Sequence, residues 1–140
     1  MATSITIQGI DELMDKLGAV EAIEILEDPM SRAVLRLQRR MATYPPQRTG
    51  STYIRGYGFP GKPATSEKLG QHWTTQVTQQ QAGYEGRVGN NVSYGPLVQS
   101  SAFQTRAHKR TGWVTDQQAM EEEAPAIIRD FEKAIEDALK

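Results

Sequence analysis

The sequence predicts an α+β fold, in which a small antiparallel β-sheet packs against N-terminal helices and a long C-terminal helix, with a long extended loop. Two runs of alternating polar and apolar residues between 71 and 99 predict a β-hairpin with one buried face. Apolar residues at helical spacing before and after the hairpin predict the helices. A length of 140 residues suits one hydrophobic core, so we expect a single domain over residues 1–140.

The hairpin is predicted from side chains that alternate along two strand-forming runs and share one face: Trp73, Val77, Tyr84 and Val88. Ala82-Gly83 is the expected two-residue turn. Such a turn pairs Gln81 with Tyr84 and places Val77 opposite Val88. The second strand should end at 89–91, before Tyr94-Gly95-Pro96 redirects the chain.

The N-terminal third is predicted to be a short strand followed by helices. Ser4–Gln8 alternates in the manner of an edge strand or an extended arm, and residues 10–17 have helical periodicity up to Gly18. Asp28-Pro29 has the residues of a helix start, a capping side chain followed by proline. This arginine-bearing helix should run to about Thr43, because the prolines at 45 and 46 prevent its continuation.

The long loop is predicted over 44–70. It contains four prolines and three aromatic residues in its interior, Tyr53, Tyr57 and Phe59. A loop of this length is uncommon in a compact domain, and its aromatic residues are unlike those of a polar linker. We interpret it as an arm that becomes ordered against neighbouring chains. The alternative is an internal loop that folds over the domain's own sheet.

The C-terminal third is predicted to be a basic loop followed by the clearest helix of the chain. Leu97 and Val98 are expected to contact the core, and Gln99–Arg110 is expected to be an exposed loop. Thr115 and Gln118 then form a capping box. The apolar stripe of the following helix, which Pro125 either kinks or divides, should pack on the sheet face that carries Trp73.

Residues for catalysis, cofactors or metals are sparse. Cysteine is absent, and neither His72 nor His108 has companions at ligand spacing. Residues 56–61 superficially resemble a phosphate loop, but no Gly-Lys-Ser/Thr follows them. The first residues lack the pattern of a signal peptide, and no apolar run approaches the roughly 18 residues of a membrane helix. We therefore expect no enzyme activity, no cofactor and no membrane contact.

The net charge of −1 conceals a segregated pattern. Residues 1–30 hold seven acidic residues and one lysine, a net charge of −6. Residues 31–115 hold twelve Lys or Arg and two Glu, a net charge of +10, and residues 116–140 hold eight acidic and three basic residues, a net charge of −5. Either the acidic terminal helices pack beside the basic centre within one molecule, or a charged face meets an oppositely charged partner.

The segments taken in order resemble a known family. After the arginine-bearing helix come YPPQRTGSTYIR at 44–55, KLGQHW at 68–73 and RVGNNVSYGPLVQ at 87–99, and Gly-Trp follows a basic loop at 112–113. In these segments the chain is similar to the tail-completion or neck proteins of long-tailed bacteriophages, the small head–tail connector proteins. The resemblance covers nearly the whole chain. Its most specific part is GNNVSYGPLVQ, followed later by a His and then Gly-Trp.

The resemblance implies helices packed on a small antiparallel sheet and a structural role without catalysis. It implies a homo-oligomeric ring around the axis that DNA crosses, in the virion neck of a siphophage, where the ring joins the head connector to the tail. The implied partners are neighbouring connector and tail proteins, with non-specific contact with phage DNA. The chain would be synthesised in the cytoplasm of the bacterial host.

The charge pattern and the aromatic loop give candidate contact residues. We expect subunit or partner contacts at Arg39, Arg40, Tyr53, Arg55, Tyr57 and Phe59, and DNA-channel contacts at Arg106, Lys109 and Arg110. Two alternatives stay open. One is a nucleic-acid-binding module that uses the basic centre for phosphate contacts, and the other is a tail terminator or minor tail protein.

Overall fold

The computed structural model describes residues 2–7, 15–46, 69–80 and 83–140. The elements are β1 (Ala2–Thr6), α1 (Ala19–Ala42), a 3₁₀ turn (Leu69–Gln71), β2 (Trp73–Gln80), β3 (Gly83–Asn90), α2 (Gly95–Gln99), α3 (Arg106–Arg110) and α4 (Asp116–Ala138). The α+β fold is confirmed, with a three-stranded antiparallel sheet and a long C-terminal helix. Residues 47–68 of the predicted long loop lie outside the described residues.

The strands are arranged in the order β1-β3-β2, so β1 is an edge strand as predicted. The predicted hairpin register is wrong by two residues, because Gln80 pairs with Gly83 and Val77 pairs with Gly86. A shift of two leaves every side chain on its predicted face, since side chains alternate with a period of two. The alternation therefore could not distinguish the two registers.

The packing of α1 on the sheet depends on Gly86. This residue lies between Ile5 on β1 and Val77 on β2. A Cβ atom at position 86 would collide with Val34 Cγ1 and would lie 2.7 Å from Met30 Sδ. The absent side chain thus lets α1 approach the middle strand closely.

Helix α1 is longer than predicted, because Asp28-Pro29 lies within it and does not start it. Pro29 is fully buried inside the helix. One buried stripe runs through the proline, comprising Ala22, Leu26, Met30, Ala33, Val34, Leu37 and Met41. Burial of this stripe outweighs the backbone hydrogen bond that proline cannot donate. Residues 15–17 are helical, and Gly18, with φ of 86°, separates them from α1.

Helix α4 makes its main contact with α1, and it is α1 that lies against β2 and β3. The prediction that the C-terminal stripe packs on the Trp73 face of the sheet is wrong, because α1 occupies that face. Ile127 is buried, whereas Phe131 is only partly buried. The capping box is confirmed: Thr115 accepts from Gln118 N and donates its own N–H to Gln118 Oε1. Pro125 does not divide the helix.

A second, smaller core joins the 3₁₀ turn to α2. Its buried members are Leu69, Val92 and Val98, and the rings of Tyr94 and Trp113 pack against them. Val98 contacts the core as predicted, whereas Leu97 is 49% exposed. Helix α2 begins at Gly95, so the chain is redirected at the predicted position.

Candidate interaction surface

The basic residues of α1 and the acidic residues of α4 pair within the chain. Arg40 Nη2 lies 2.7 Å from a carboxylate oxygen of Glu122, and Arg36 Nη1 lies 3.4 Å from Glu123. Arg32 and Asp130 approach to 3.9 Å further along the two helices. Part of the segregated charge is therefore satisfied intramolecularly. Pairs this exposed contribute at most about 1 kcal/mol each.

The outer face of α1, which points away from the sheet and from α4, has no such pairing. It carries Glu21, Glu24, Asp28, Leu35 and Arg39, which recur at helical spacing and are all exposed. Among the residues that the structure describes, none of these charged side chains forms an ion pair. Leu35 is 49% exposed at the centre of this face. The face is acidic in its first half and basic in its second.

The basic segment predicted as a loop contains the short helix α3. Thr105 caps this helix, because its side-chain oxygen accepts a hydrogen bond from His108 N. Nδ1 of His108 lies 2.6 Å from the same oxygen. Five residues are too few to show periodicity, so the Thr105 cap was the only sequence signal for α3. Arg106, Lys109 and Arg110 are exposed, and none forms an ion pair within the described ranges.

An aromatic contact holds α3 near the C-terminal end of α1. The ring of Trp113 lies 4.8 Å from that of Tyr44, two residues beyond α1, and 6.4 Å from that of His108. Trp113 N donates to His108 O. Gln99 Nε2 donates to Met41 O at 2.9 Å, which fixes α2 to the same end of α1.

The same aromatic residue joins the two described ends of the predicted long loop. Tyr44 Oη accepts a hydrogen bond of 2.7 Å from Gly70 N. Asn90 Nδ2 donates to Leu69 O at 2.8 Å, which ties the second end to β3. The chain therefore leaves for residue 47 and returns at residue 69 beside Trp113 and α3.

An exposed aromatic side chain lies just before α3. Phe103 is 67% exposed, the largest exposure among the large apolar side chains of the described residues. The turn that carries it is well anchored: Phe103 N donates to Ser100 O, and Gln104 Nε2 donates to both Val98 O and Trp113 O at 2.8 Å. Single exposed apolar side chains are common on protein surfaces, but this ring is held in water by a fixed turn and is accessible to a partner.

The predicted contact residues divide into four groups. Arg106, Lys109 and Arg110 come together on α3, Arg39 lies on the outer face of α1, and Arg40 is engaged with Glu122. Four lie outside the described residues: Tyr53, Arg55, Tyr57 and Phe59. Sequence reasoning missed Leu35 and Phe103. Leu35 falls off the apolar stripe of its helix, and that offset was the available signal.

The remaining polar groups offer little for ligand chemistry. Within residues 2–7, 15–46, 69–80 and 83–140, no three His, Asp or Glu side chains are placed to share a metal ion. Burial, reinforced by the charges of Glu27 and Glu24 and by a hydrogen bond to Glu27, raises the pKa of Tyr84. No helix of the described part is long and apolar enough to cross a membrane.

Comparison with known proteins gave no match: no family model, no curated protein and no solved structure is similar to the chain.

Proposed function

We propose that the chain is a structural protein of the neck of a long-tailed bacteriophage, where it joins the head connector to the tail as one subunit of a ring around the DNA channel. In this role it carries out no catalysis and binds neighbouring connector and tail proteins. The proposal rests on the resemblance of segments 44–55, 68–73 and 87–99 to neck proteins.

The observation that carries the proposal is the structural role of the resembling residues. Within GNNVSYGPLVQ, Asn90 donates to Leu69 O and accepts from Val92 N at 2.9 Å, and Gln99 donates to Met41 O. Both side chains are buried. The most specific part of the resemblance thus consists of residues that shape the corner between β3, α2 and the end of α1, and such residues are characteristic of a fold family.

The distribution of unpaired charge also supports assembly. Arg106, Lys109 and Arg110 are exposed on α3, and the first half of the outer face of α1 is acidic. A ring needs heterologous contacts, in which one surface of a subunit meets a different surface of the next. Two exposed surfaces of opposite charge on one chain meet that requirement.

Deletion of the gene from its phage tests the proposal. We expect DNA-filled heads and finished tails to accumulate without joining, because each is built separately and only the junction is missing. Supply of the wild-type chain from a plasmid should restore whole particles. Whole, infectious particles from the deletion would contradict the proposal.

A second candidate is a nucleic-acid-binding module. It is favoured by the exposed basic side chains of Arg106, Lys109 and Arg110 on α3. A gel-shift with duplex DNA at low and moderate salt separates the candidates. Binding that persists at moderate salt and is lost on reversal of the three charges favours this second function.

A further inference from the structure

We infer that α3 of one chain docks on the acidic half of the outer face of α1 in a second copy. The contact joins Arg106, Lys109 and Arg110 to Glu21, Glu24 and Asp28. It deepens the proposed ring assembly and rests on it, because it names the two surfaces through which neighbouring subunits meet.

The two surfaces cannot meet within one chain. Trp113 holds α3 beside Tyr44, at the C-terminal end of α1. Asp28 lies sixteen residues before Tyr44, so it is roughly 24 Å away along the helix at 1.5 Å per residue. Glu21 is further still. A lysine or arginine side chain does not bridge that distance, so these two charged groups cannot pair with each other within one chain.

The charge complementarity is local and matched in size. Three basic side chains lie within the five residues of α3, and three acidic ones lie within two turns of α1. Of the described side chains, none neutralises either group. The second half of the same α1 face carries Arg39, which would repel α3. Only the acidic half therefore suits the basic helix.

Exposed apolar side chains accompany both charged groups. Phe103 precedes Arg106 by three residues and is 67% exposed, while Leu35 follows Asp28 by two helical turns and is 49% exposed. Buried aromatic anchors commonly supply most of the binding energy of a protein interface, whereas charged rims set its specificity. A phosphate backbone satisfies the basic residues but not Phe103, which favours a protein partner over DNA.

The contact is heterologous, so each copy offers α3 to one neighbour and its acidic face to another. Repetition of such a contact forms either a closed ring or an open filament. Two chains whose charges are reversed on different surfaces repel copies of themselves but remain complementary to each other. This property provides a test that does not depend on phage particles.

The test uses two purified variants with reversed charges. The basic-reversed chain carries Arg106→Glu, Lys109→Glu and Arg110→Glu, and the acid-reversed chain carries Glu21→Lys, Glu24→Lys and Asp28→Lys. Glu27 is left unchanged because it is hydrogen-bonded to Tyr84. A matched control reverses the same number of charges elsewhere, with Arg129→Glu and Lys133→Glu on α4 and Lys140→Glu two residues beyond it. Circular dichroism and urea unfolding confirm that each variant folds.

Sedimentation velocity then measures self-association at low and moderate salt. We expect the wild type and the control to associate more strongly at low salt. Each reversed chain should lose association by roughly a hundredfold or more in dissociation constant, because like charges then face each other. An equimolar mixture of the two reversed chains should regain association, because each α3 then meets an outer face of opposite charge on the other chain. A chain with both sets of changes should associate again for the same reason. Phe103→Ser should weaken association roughly tenfold or more without unfolding the chain.

Other outcomes overturn the inference. Absence of self-association in the wild type contradicts the inferred contact, and self-association that survives both reversals shows that other surfaces join the copies. If the basic-reversed chain loses only duplex DNA binding, α3 belongs to a nucleic-acid interface. Reversals without effect in a protein found at the neck would reject this contact and retain the proposed function. A charge-dependent contact in a protein absent from the neck would support this contact and reject the proposed function.

Discussion

Tyr44 Oη accepts a hydrogen bond of 2.7 Å from the backbone N–H of Gly70, across 26 positions of sequence. The ring of Tyr44 also fills the space beside Gly70, because a Cβ atom at position 70 would lie 2.9 Å from Tyr44 Cε1. One side chain thus connects the end of α1 to the 3₁₀ turn before β2. The contact requires both the hydroxyl group of Tyr44 and the missing side chain of Gly70.

Tyr44→Phe should lower the free energy of unfolding by about 1–2 kcal/mol, because Gly70 N–H loses its acceptor in a partly buried position. Gly70→Ala should destabilise as well, since its methyl group displaces the ring. Urea unfolding measures both changes. The double variant Tyr44→Leu/Gly70→Ala should cost less than the sum of its single variants, because a smaller side chain relieves the collision. Strict additivity would show that the two residues are not in contact.

Gly86→Ala should destabilise the chain by about 1–3 kcal/mol, because the new methyl group collides with Val34 and Met30 and displaces α1 from the sheet. The matched control is Gly95→Ala, where the added Cβ would lie 3.4 Å from Leu69 Cδ1, an ordinary contact. Urea unfolding compares the two variants through their midpoints, provided that the slope of the unfolding free energy against urea concentration is the same for both. Val34→Ala should cost less in the Gly86→Ala background than in the wild type, and an equal cost in both backgrounds would argue against close packing at Gly86.

Phe131→Ala should cost less than Ile127→Ala, although phenylalanine is the larger side chain. Ile127 is 5% exposed, and its truncation should cost about 2–5 kcal/mol. Phe131 is only partly buried, so truncation leaves little cavity and should cost about 1–2 kcal/mol. Phe131 belongs to the apolar stripe that was predicted to pack on the sheet, but α4 lies on α1 and leaves this ring only partly buried. A larger loss for Phe131 than for Ile127 in urea unfolding would contradict this placement.

Arg39 and Arg40 should respond differently to charge reversal, although they are adjacent. Arg40→Glu places a carboxylate against Glu122 and should cost about 1 kcal/mol or slightly more, since the pair is exposed. Arg39→Glu removes no described ion pair and should change stability by less than about 0.5 kcal/mol. If the outer face of α1 contacts a neighbour, Arg39→Glu should nevertheless alter particle assembly. Lys133→Glu, exposed on α4, is the control.

The sequence predicted the elements that depend on local patterns and missed those that depend on packing. The buried face of the hairpin, the Thr115–Gln118 capping box and the end of α1 near Thr43 each follow from a few neighbouring residues. Asp28-Pro29 has an equally strong local signature, yet it lies inside α1. Tertiary burial of the stripe through Leu26 and Met30 overrides it.

The candidate surface was predicted in composition but not in arrangement. Arg106, Lys109 and Arg110 stand out in the sequence as basic residues, and the helix that groups them has no periodicity to reveal it. Charge segregation indicated that pairing could occur within one molecule, but which arginines pair depends on how α4 lies on α1. That geometry engages Arg36 and Arg40 and leaves Arg39 exposed.

The position of the chain in an intact phage particle tests the central proposal most directly. Electron cryo-microscopy of purified particles resolves the rings at the head–tail junction, where the three-stranded sheet with α1 and α4 should be recognisable in each subunit. We predict a ring of this fold between the head connector and the tail, encircling the DNA. Finding the chain only at the end of the tail tube or further along it, or finding no copy in the particle, would contradict the proposed role in the neck.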